Sequence, residues 1–235
     1  MGFFYDQTAA VLRRIYDSRI TGPSILDANT YFPFAAKFAA AWRDIHDEAQ
    51  LVADRLHNVP RFHEIMREQW AISANDDRDW RLFVLRAYGA EFVENMAACP
   101  RLAGLVVGTP GVLSASFSFM APWKHIPLHR GPFRGVVRFY LGLSVPRHAD
   151  GRPAALLKID GQEYRVGEGE WLLWDDTYPH EVVNESDSVR SVLLLDVWRR
   201  GMPIDMELFS RFLIATAGVA ARWRAGPANF PLGRD

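Results

Sequence analysis

Residues 155–174 read ALLKIDGQEYRVGEGEWLLW, and the reading of this stretch decides the fold class. Three runs rich in branched and aromatic side chains, Ala155–Ile159, Glu163–Val166 and Glu170–Trp174, are cut by Asp160-Gly161 and by Gly167-Glu168-Gly169. Short strands divided by such turns indicate a sandwich or jelly roll. Working outward, Val136–Val145 is another branched and aromatic run, Val112–Met120 alternates, and Trp80–Tyr88 is a β-prone run broken by a glycine. Downstream, Glu181–Val183 and Val189–Trp198 flank the turn Asn184-Glu185-Ser186.

The period changes at both ends of this β-run. Phe38, Trp42, Ile45, Ala49, Val52 and Leu56 recur at helical spacing, with Arg43, Asp44, Asp47 and Glu48 away from that stripe, and Asn58 and Pro60 end the helix. An earlier helix is expected over Tyr5 to Arg19, a short one after Pro60, and a final one from Asp205 to Arg222. The fold class is therefore α+β, with 1–235 as one domain: 1–79 mainly helical, 80–200 the β-core, and 201–235 a C-terminal helix and tail.

Composition narrows the functions. The chain of 235 residues is 49% hydrophobic with a net charge of −1, which gives no reason to expect nucleic acid as a partner. Cys99 is the only cysteine, so an intrachain disulfide and thiolate metal clusters are excluded, and a metal would need histidine, carboxylate or water. Leu102 to Trp123 is uncharged and long enough to span a membrane. Thr109-Pro110-Gly111 interrupts it, and Ser114, Ser116 and Ser118 alternate beyond, so a helix end, a turn and a buried strand fit better. No transmembrane segment and a cytoplasmic location are expected. Met206, Phe209, Phe212, Leu213, Ala217 and Val219 give the last helix an apolar face, expected to dock on the core, with peripheral membrane contact as the alternative.

The candidate chemistry lies in the β-half. His129 precedes an early core strand, His180 opens a later one, and Arg190 follows ten residues after His180 across a tight turn. Neutral imidazoles are good iron(II) ligands, and facial sites with open positions mark non-haem iron oxygenases. A 2-oxo acid that completes such a site needs a fixed cation for its far carboxylate, and arginine offers a planar two-pronged donor. His125 competes with His129 as a ligand. His148 beside Asp150 reads as solvated, and His46, His57 and His63 are expected to face solvent from the helical part.

The stretch 129–146, HRGPFRGVVRFYLGLSVP, resembles the aspartyl/asparaginyl β-hydroxylase family of iron(II)- and 2-oxoglutarate-dependent dioxygenases. So does 169–184, GEWLLWDDTYPHEVVN, followed by Arg190 and by Asp196-Val197-Trp198; the similarity spans about Trp80 to Arg200. The resemblance implies a double-stranded β-helix, the jelly-roll core, and implies His129 and His180 as iron ligands. It implies Arg190 at the far carboxylate of 2-oxoglutarate, with Ser118 and Arg138 as further contacts to that co-substrate. Tyr140 stands where the animal enzymes have histidine. Gly131 stands where many iron oxygenases place a third, carboxylate ligand, and the animal hydroxylases share this glycine. An alanine there is expected to be tolerated, and Asp175, Asp176 and Glu181 are expected in turns or supporting the ligating histidine.

The activity so implied is hydroxylation of an unactivated C–H bond, with dioxygen as oxidant and 2-oxoglutarate decarboxylated to succinate. Expected substrates are a peptide or amino-acid-derived small molecule of the aspartyl/asparaginyl type, or a fatty acyl chain as in lipid A. A non-haem iron halogenase and a non-enzymatic metal-binding jelly roll are the remaining alternatives.

Overall fold

Ten strands form among the described residues, and they divide into two antiparallel sheets. The structure, a computed structural model, describes residues 2–224 and the side chains of residues 7–218; the tail 225–235 and the side chain of Val219 lie outside the described residues. The strands are β1 (Trp80–Ala87), β2 (Ala90–Glu91), β3 (Val112–Met120), β4 (His125–His129), β5 (Val136–Ser144), β6 (Ala155–Ile159), β7 (Gln162–Tyr164), β8 (Trp171–Trp174), β9 (His180–Asn184) and β10 (Arg190–Trp198). The larger sheet has the order β2-β1-β3-β10-β5-β8, and the smaller has β4-β9-β6-β7. This is the jelly-roll core expected from the sequence. Asp160 and Gly161, at φ 50° and 78°, both take the left-handed backbone of the tight hairpin that joins β6 to β7.

Alternation along the strands gives the larger sheet two faces of different character. Phe117, Phe119, Phe139, Leu141, Leu193 and Leu195 point outward into one apolar core. Helices Ala35–Ala40, Trp42–Ala53 and Pro100–Val107 cover that face through Phe38, Ile45, Val52, Leu102 and Val106. The opposite face looks into the lumen between the sheets, where Tyr140, Trp174 and Val192 meet Leu157 and Ile159 of the smaller sheet. Buried polar residues, Ser118, Arg190 and Asp196, share the lumen-facing register of β3 and β10 with Val192.

Three local expectations are corrected. The helix read through Phe38 to Leu56 is broken at Ala41 (φ −95°, ψ 11°) and ends in a 3-10 turn at Leu56–Asn58. Glu48 is buried: its carboxylate accepts from the backbone N–H of Arg101 (2.6 Å) and Leu102 (3.0 Å), satisfying donors that the first turn of Pro100–Val107 leaves unpaired. Third, His129 ends a strand of its own, β4. The sequence HIPLH hides it, because a proline is tolerated in a sheet only where its missing N–H faces no partner, and β4 is an edge strand.

The uncharged stretch resolves into the helix Pro100–Val107, a turn and β3, and no helix among the described residues is long and apolar enough to cross a membrane. The final helix, Ile204–Arg224, docks on the helix Gly2–Asp17 through Met206, Phe209 and Leu213, around buried Tyr16. Phe212, read as part of that docking face, is exposed together with Ile204 and Leu208.

Candidate active site

His129 and His180 are register partners across β4 and β9, and their ring centroids stand 4.0 Å apart. Each Nδ1 meets the carbonyl oxygen two residues earlier in the chain, Pro127 at 2.7 Å and Tyr178 at 2.9 Å. A carbonyl only accepts, so both protons sit on Nδ1, and each Nε2 keeps its lone pair for a metal. Burial lowers the pKa of His129 to about 4 and that of His180 well below its ordinary value, so both rings are neutral near pH 7. Trp174 packs edge-on against His180 at 4.5 Å and fixes that ring from the lumen side. These are two preoriented nitrogen ligands of the kind iron(II) accepts.

Among the described residues no group of three His, Cys, Asp or Glu side chains is close enough to hold a metal by itself. Gly131 accounts for part of this. A Cβ built there would lie 2.3 Å from Oδ1 of Asp176, whose carboxylate fills the space of a side chain at 131. The backbone agrees, since Gly131 N–H donates to the Asp176 carbonyl at 2.7 Å. The expected tolerance of alanine at 131 is therefore corrected: Asp176 is buried and would have to move.

Asp175 and Asp176 are neighbours with opposite tasks. Asp175 points away from the lumen into ion pairs with Arg134 (2.9 Å) and Arg199, and it also holds Thr177, which shapes the turn leading to His180. Asp176 pairs with Arg138 through Oδ2 (3.2 Å), while its buried Oδ1 has no hydrogen-bond partner. Burial outweighs Arg138 and raises the Asp176 pKa to about 6. Glu181 is turned to the other face, where it binds His125 (2.8 Å) and Lys158 (3.4 Å). His125 is thereby drawn away from the histidine pair.

The expected co-substrate residues divide into two groups. Arg190 is buried, its guanidinium lies 5.4 Å over the Tyr140 ring, and its hydrogen bond is to the Met120 sulfur at 2.7 Å. Its Nε has no partner, and no carboxylate pairs with it among the described residues. Burial lowers its pKa. Ser118, opposite Val192 on the adjoining strand, accepts from the Trp80 indole at 3.0 Å, which leaves its own hydroxyl proton to give. Arg138, by contrast, is committed: Nε and Nη2 donate to Asp196 at 3.0 and 2.8 Å, and Nη2 also meets Asp176. Burial alone would lower the Arg138 pKa, but Asp196 and Asp176 together raise it.

Surface clefts do not identify this site. The two most evident, about 530 and 380 Å³, are lined around Trp171 and around Trp198, and neither includes His129, His180 or Arg190. What distinguishes the lumen is its chemistry: free imidazole nitrogens, an unpaired guanidinium and a half-satisfied carboxylate.

Comparison with known proteins gives the class, a hydroxylase. Residues 39–200 match the family described as Aspartyl/Asparaginyl beta-hydroxylase, and the chain belongs to that family. A relative, the ornithine lipid ester-linked acyl 2-hydroxylase of Rhizobium tropici, is 36% identical over 179 residues, 76% of this chain and 62% of its own length. The human aspartyl/asparaginyl beta-hydroxylase is 26% identical over 164 residues, 67% of this chain and 20% of its own. The chain thus spans less than two thirds of each of these relatives. Among solved structures, a DMSP lyase of Ruegeria pomeroyi aligns at 19% identity and a TM-score of 0.33 over 52% of this chain and 47% of its own.

Two site features escaped the sequence reading: the free oxygen of Asp176 and the indole of Trp174. Alternation along β8 carried a signal for Trp174, since it sets Trp174 and Leu173 on opposite faces; Asp176 lies in the turn beyond the strand.

Proposed function

We propose that this chain is an iron(II)- and 2-oxoglutarate-dependent hydroxylase acting on a C–H bond next to a carboxyl-derived carbonyl. The observation that supports it best is the buried, unpaired Arg190 guanidinium in the same lumen as two neutral histidines with free Nε2 atoms. A buried cation without a counterion is costly, and an anionic ligand offsets that cost. His129 and His180 would hold the iron. Arg190 and Ser118 would hold the far carboxylate of 2-oxoglutarate, and Arg138 would make a second contact. Oδ1 of Asp176, beside Gly131, would accept a hydrogen bond from a group bound in the lumen. When bound, iron activates dioxygen with electrons from 2-oxoglutarate, which leaves as succinate and carbon dioxide. The protein's share is orientation, charge and exclusion of bulk water.

Both relatives point to one reaction geometry. The β-carbon of an aspartyl or asparaginyl residue adjoins its side-chain carboxyl or amide carbon, and C2 of an ester-linked acyl chain adjoins the ester carbonyl. Oxidation beside a carbonyl is therefore common to both substrate types. The aspartyl/asparaginyl-type substrate is the family reading, and the acyl chain is favoured by the 36% identity to the lipid hydroxylase. A halogenase has less support: the space beside Gly131 is taken by a carboxylate, which repels a halide.

The test is succinate release from 2-oxoglutarate with iron and dioxygen, against Asp- and Asn-containing peptides, free amino acids and acylated amino-acid lipids, with product analysis. Hydroxyl placed on a carbon adjoining a carbonyl supports the proposal; failure of the iron-loaded protein to bind 2-oxoglutarate overturns it.

A further inference from the structure

Four buried side-chain polar atoms have no hydrogen-bond partner among the described residues: Asn95 Oδ1, Trp174 Nε1, Asp176 Oδ1 and Arg190 Nε. The last three face the lumen. Arg190 and Asp176 have ligands in the reading above, but Trp174 has none. Phenylalanine would fill much of the same space without burying an unmatched donor, so the indole N–H calls for an acceptor that arrives with a ligand.

We propose that Trp174 binds the primary substrate, its Nε1–H donating to the carbonyl oxygen beside the carbon that is hydroxylated. This rests on the hydroxylase reading and adds the group that selects the position oxidised.

Three observations support the substrate, rather than 2-oxoglutarate, as the acceptor. Trp174 lies on β8, opposite Arg138, and β5 separates it from the strand that carries Arg190; Arg190 itself pairs with Met120 at the far end of β10. Charged donors, Arg190 and Arg138, would serve the co-substrate's carboxylates, which bond charged donors more strongly than neutral ones. A neutral indole N–H in a dry lumen matches a neutral acceptor, an amide or ester carbonyl. Finally, the indole packs against the ring of His180 at 4.5 Å. An atom held by that indole lies close to the metal's ligands, and the carbon one bond away is presented to the oxidant. Trp174 is buried, so water does not compete for the bond.

The experiment uses the full chain with zinc(II) in place of iron, labelled with 15N-tryptophan, so that indole N–H resonances are seen without paramagnetic broadening. Trp174→Phe identifies the Trp174 resonance by its loss and keeps an aromatic ring against His180. The probes are 2-oxoglutarate, then N-acetylasparagine amide and methyl hexanoate added to the 2-oxoglutarate complex. The expected result is a downfield shift of the Trp174 indole proton with a carbonyl probe and little movement with 2-oxoglutarate alone. Trp174→Phe should keep the metal and 2-oxoglutarate affinities and weaken the same carbonyl probe by about tenfold, the value of one neutral hydrogen bond. A full shift with 2-oxoglutarate alone overturns the proposal, because the co-substrate is then the acceptor. A motionless indole with both carbonyl probes also overturns it, while a normal 2-oxoglutarate response leaves the hydroxylase reading standing. Absence of 2-oxoglutarate binding overturns both.

Discussion

Replacing Arg190 by methionine should have opposite effects on the free and the liganded protein. The guanidinium is buried over Tyr140 with a sulfur contact and no carboxylate partner. In the free protein the substitution removes an uncompensated buried charge and leaves a flexible apolar chain in its place, so the melting temperature should hold or rise. With 2-oxoglutarate, the same substitution deletes a buried charged pair. That loss is on the order of 2–5 kcal/mol, a factor of about 30 to 5,000 in the 2-oxoglutarate dissociation constant. At a concentration of about 100 times the wild-type dissociation constant, binding stabilises the native state by about 2.7 kcal/mol. In a chain of this size that is roughly 5–10 °C of melting temperature. The Arg190→Met protein under the same conditions should gain about 3 °C or less. Thermal unfolding of the metal-loaded protein under nitrogen, with and without 2-oxoglutarate, measures all four values. A full ligand-induced shift in Arg190→Met would refute the reasoning and move attention to Arg138. A free protein strongly destabilised by the substitution would show that the guanidinium is satisfied structurally.

Alanine at either His129 or His180 should abolish iron binding, while His125→Ala, whose ring is held by Glu181, should leave it intact; metal analysis after anaerobic reconstitution decides this. Gly131→Ala should cost about 1–3 kcal/mol of stability by overpacking against Asp176. The double variant Gly131→Ala/Asp176→Ala should recover part of that loss, and a Gly131→Ala protein as stable as the parent would show that Asp176 moves freely. The histidines titrate below their ordinary range, His129 at about 4, so iron uptake near pH 7 should release almost no histidine protons, a quantity calorimetry in buffers of different ionisation enthalpy measures directly. The same depressed values give the metal-free protein stability that is complete above the ordinary histidine value of 6.5 and is lost as pH falls toward 4, because the unfolded chain takes up those protons first. Asp176, raised to about 6, acts in the opposite sense, since its contribution is lost as pH rises from 3.8 toward 6. Two histidines against one carboxylate leave a net decline on acidification, and urea midpoints that instead rise between pH 6.5 and 4 would contradict buried neutral histidines.

The sequence by itself determined the strand series, the jelly-roll class and three of the groups that define the lumen chemistry. Turns such as Asp160-Gly161 are local events, legible because only certain residues take a left-handed backbone. His180 and Arg190 were legible through their ten-residue offset across a turn, although the strands that carry them, β9 and β10, lie in different sheets. His129 was legible through its motif, although its strand was not. β4 holds as a strand through its pairing with β9, in spite of a proline that weakens any local preference.

Only the tertiary structure decided which polar groups are partnered. Arg138 and Arg190 look alike in the sequence, but Asp196, far from Arg138 in the chain, claims Arg138 and no carboxylate reaches Arg190. Asp175 and Asp176 differ because the turn after β8 sends one to Arg199 and the other toward Gly131. Glu48 likewise became a buried cap only when another helix's first turn was placed against it. Strand and turn preferences act between near neighbours and are written locally. The satisfaction of a buried charge depends on whatever the fold brings within about 3 Å, and that is set by packing of the whole chain.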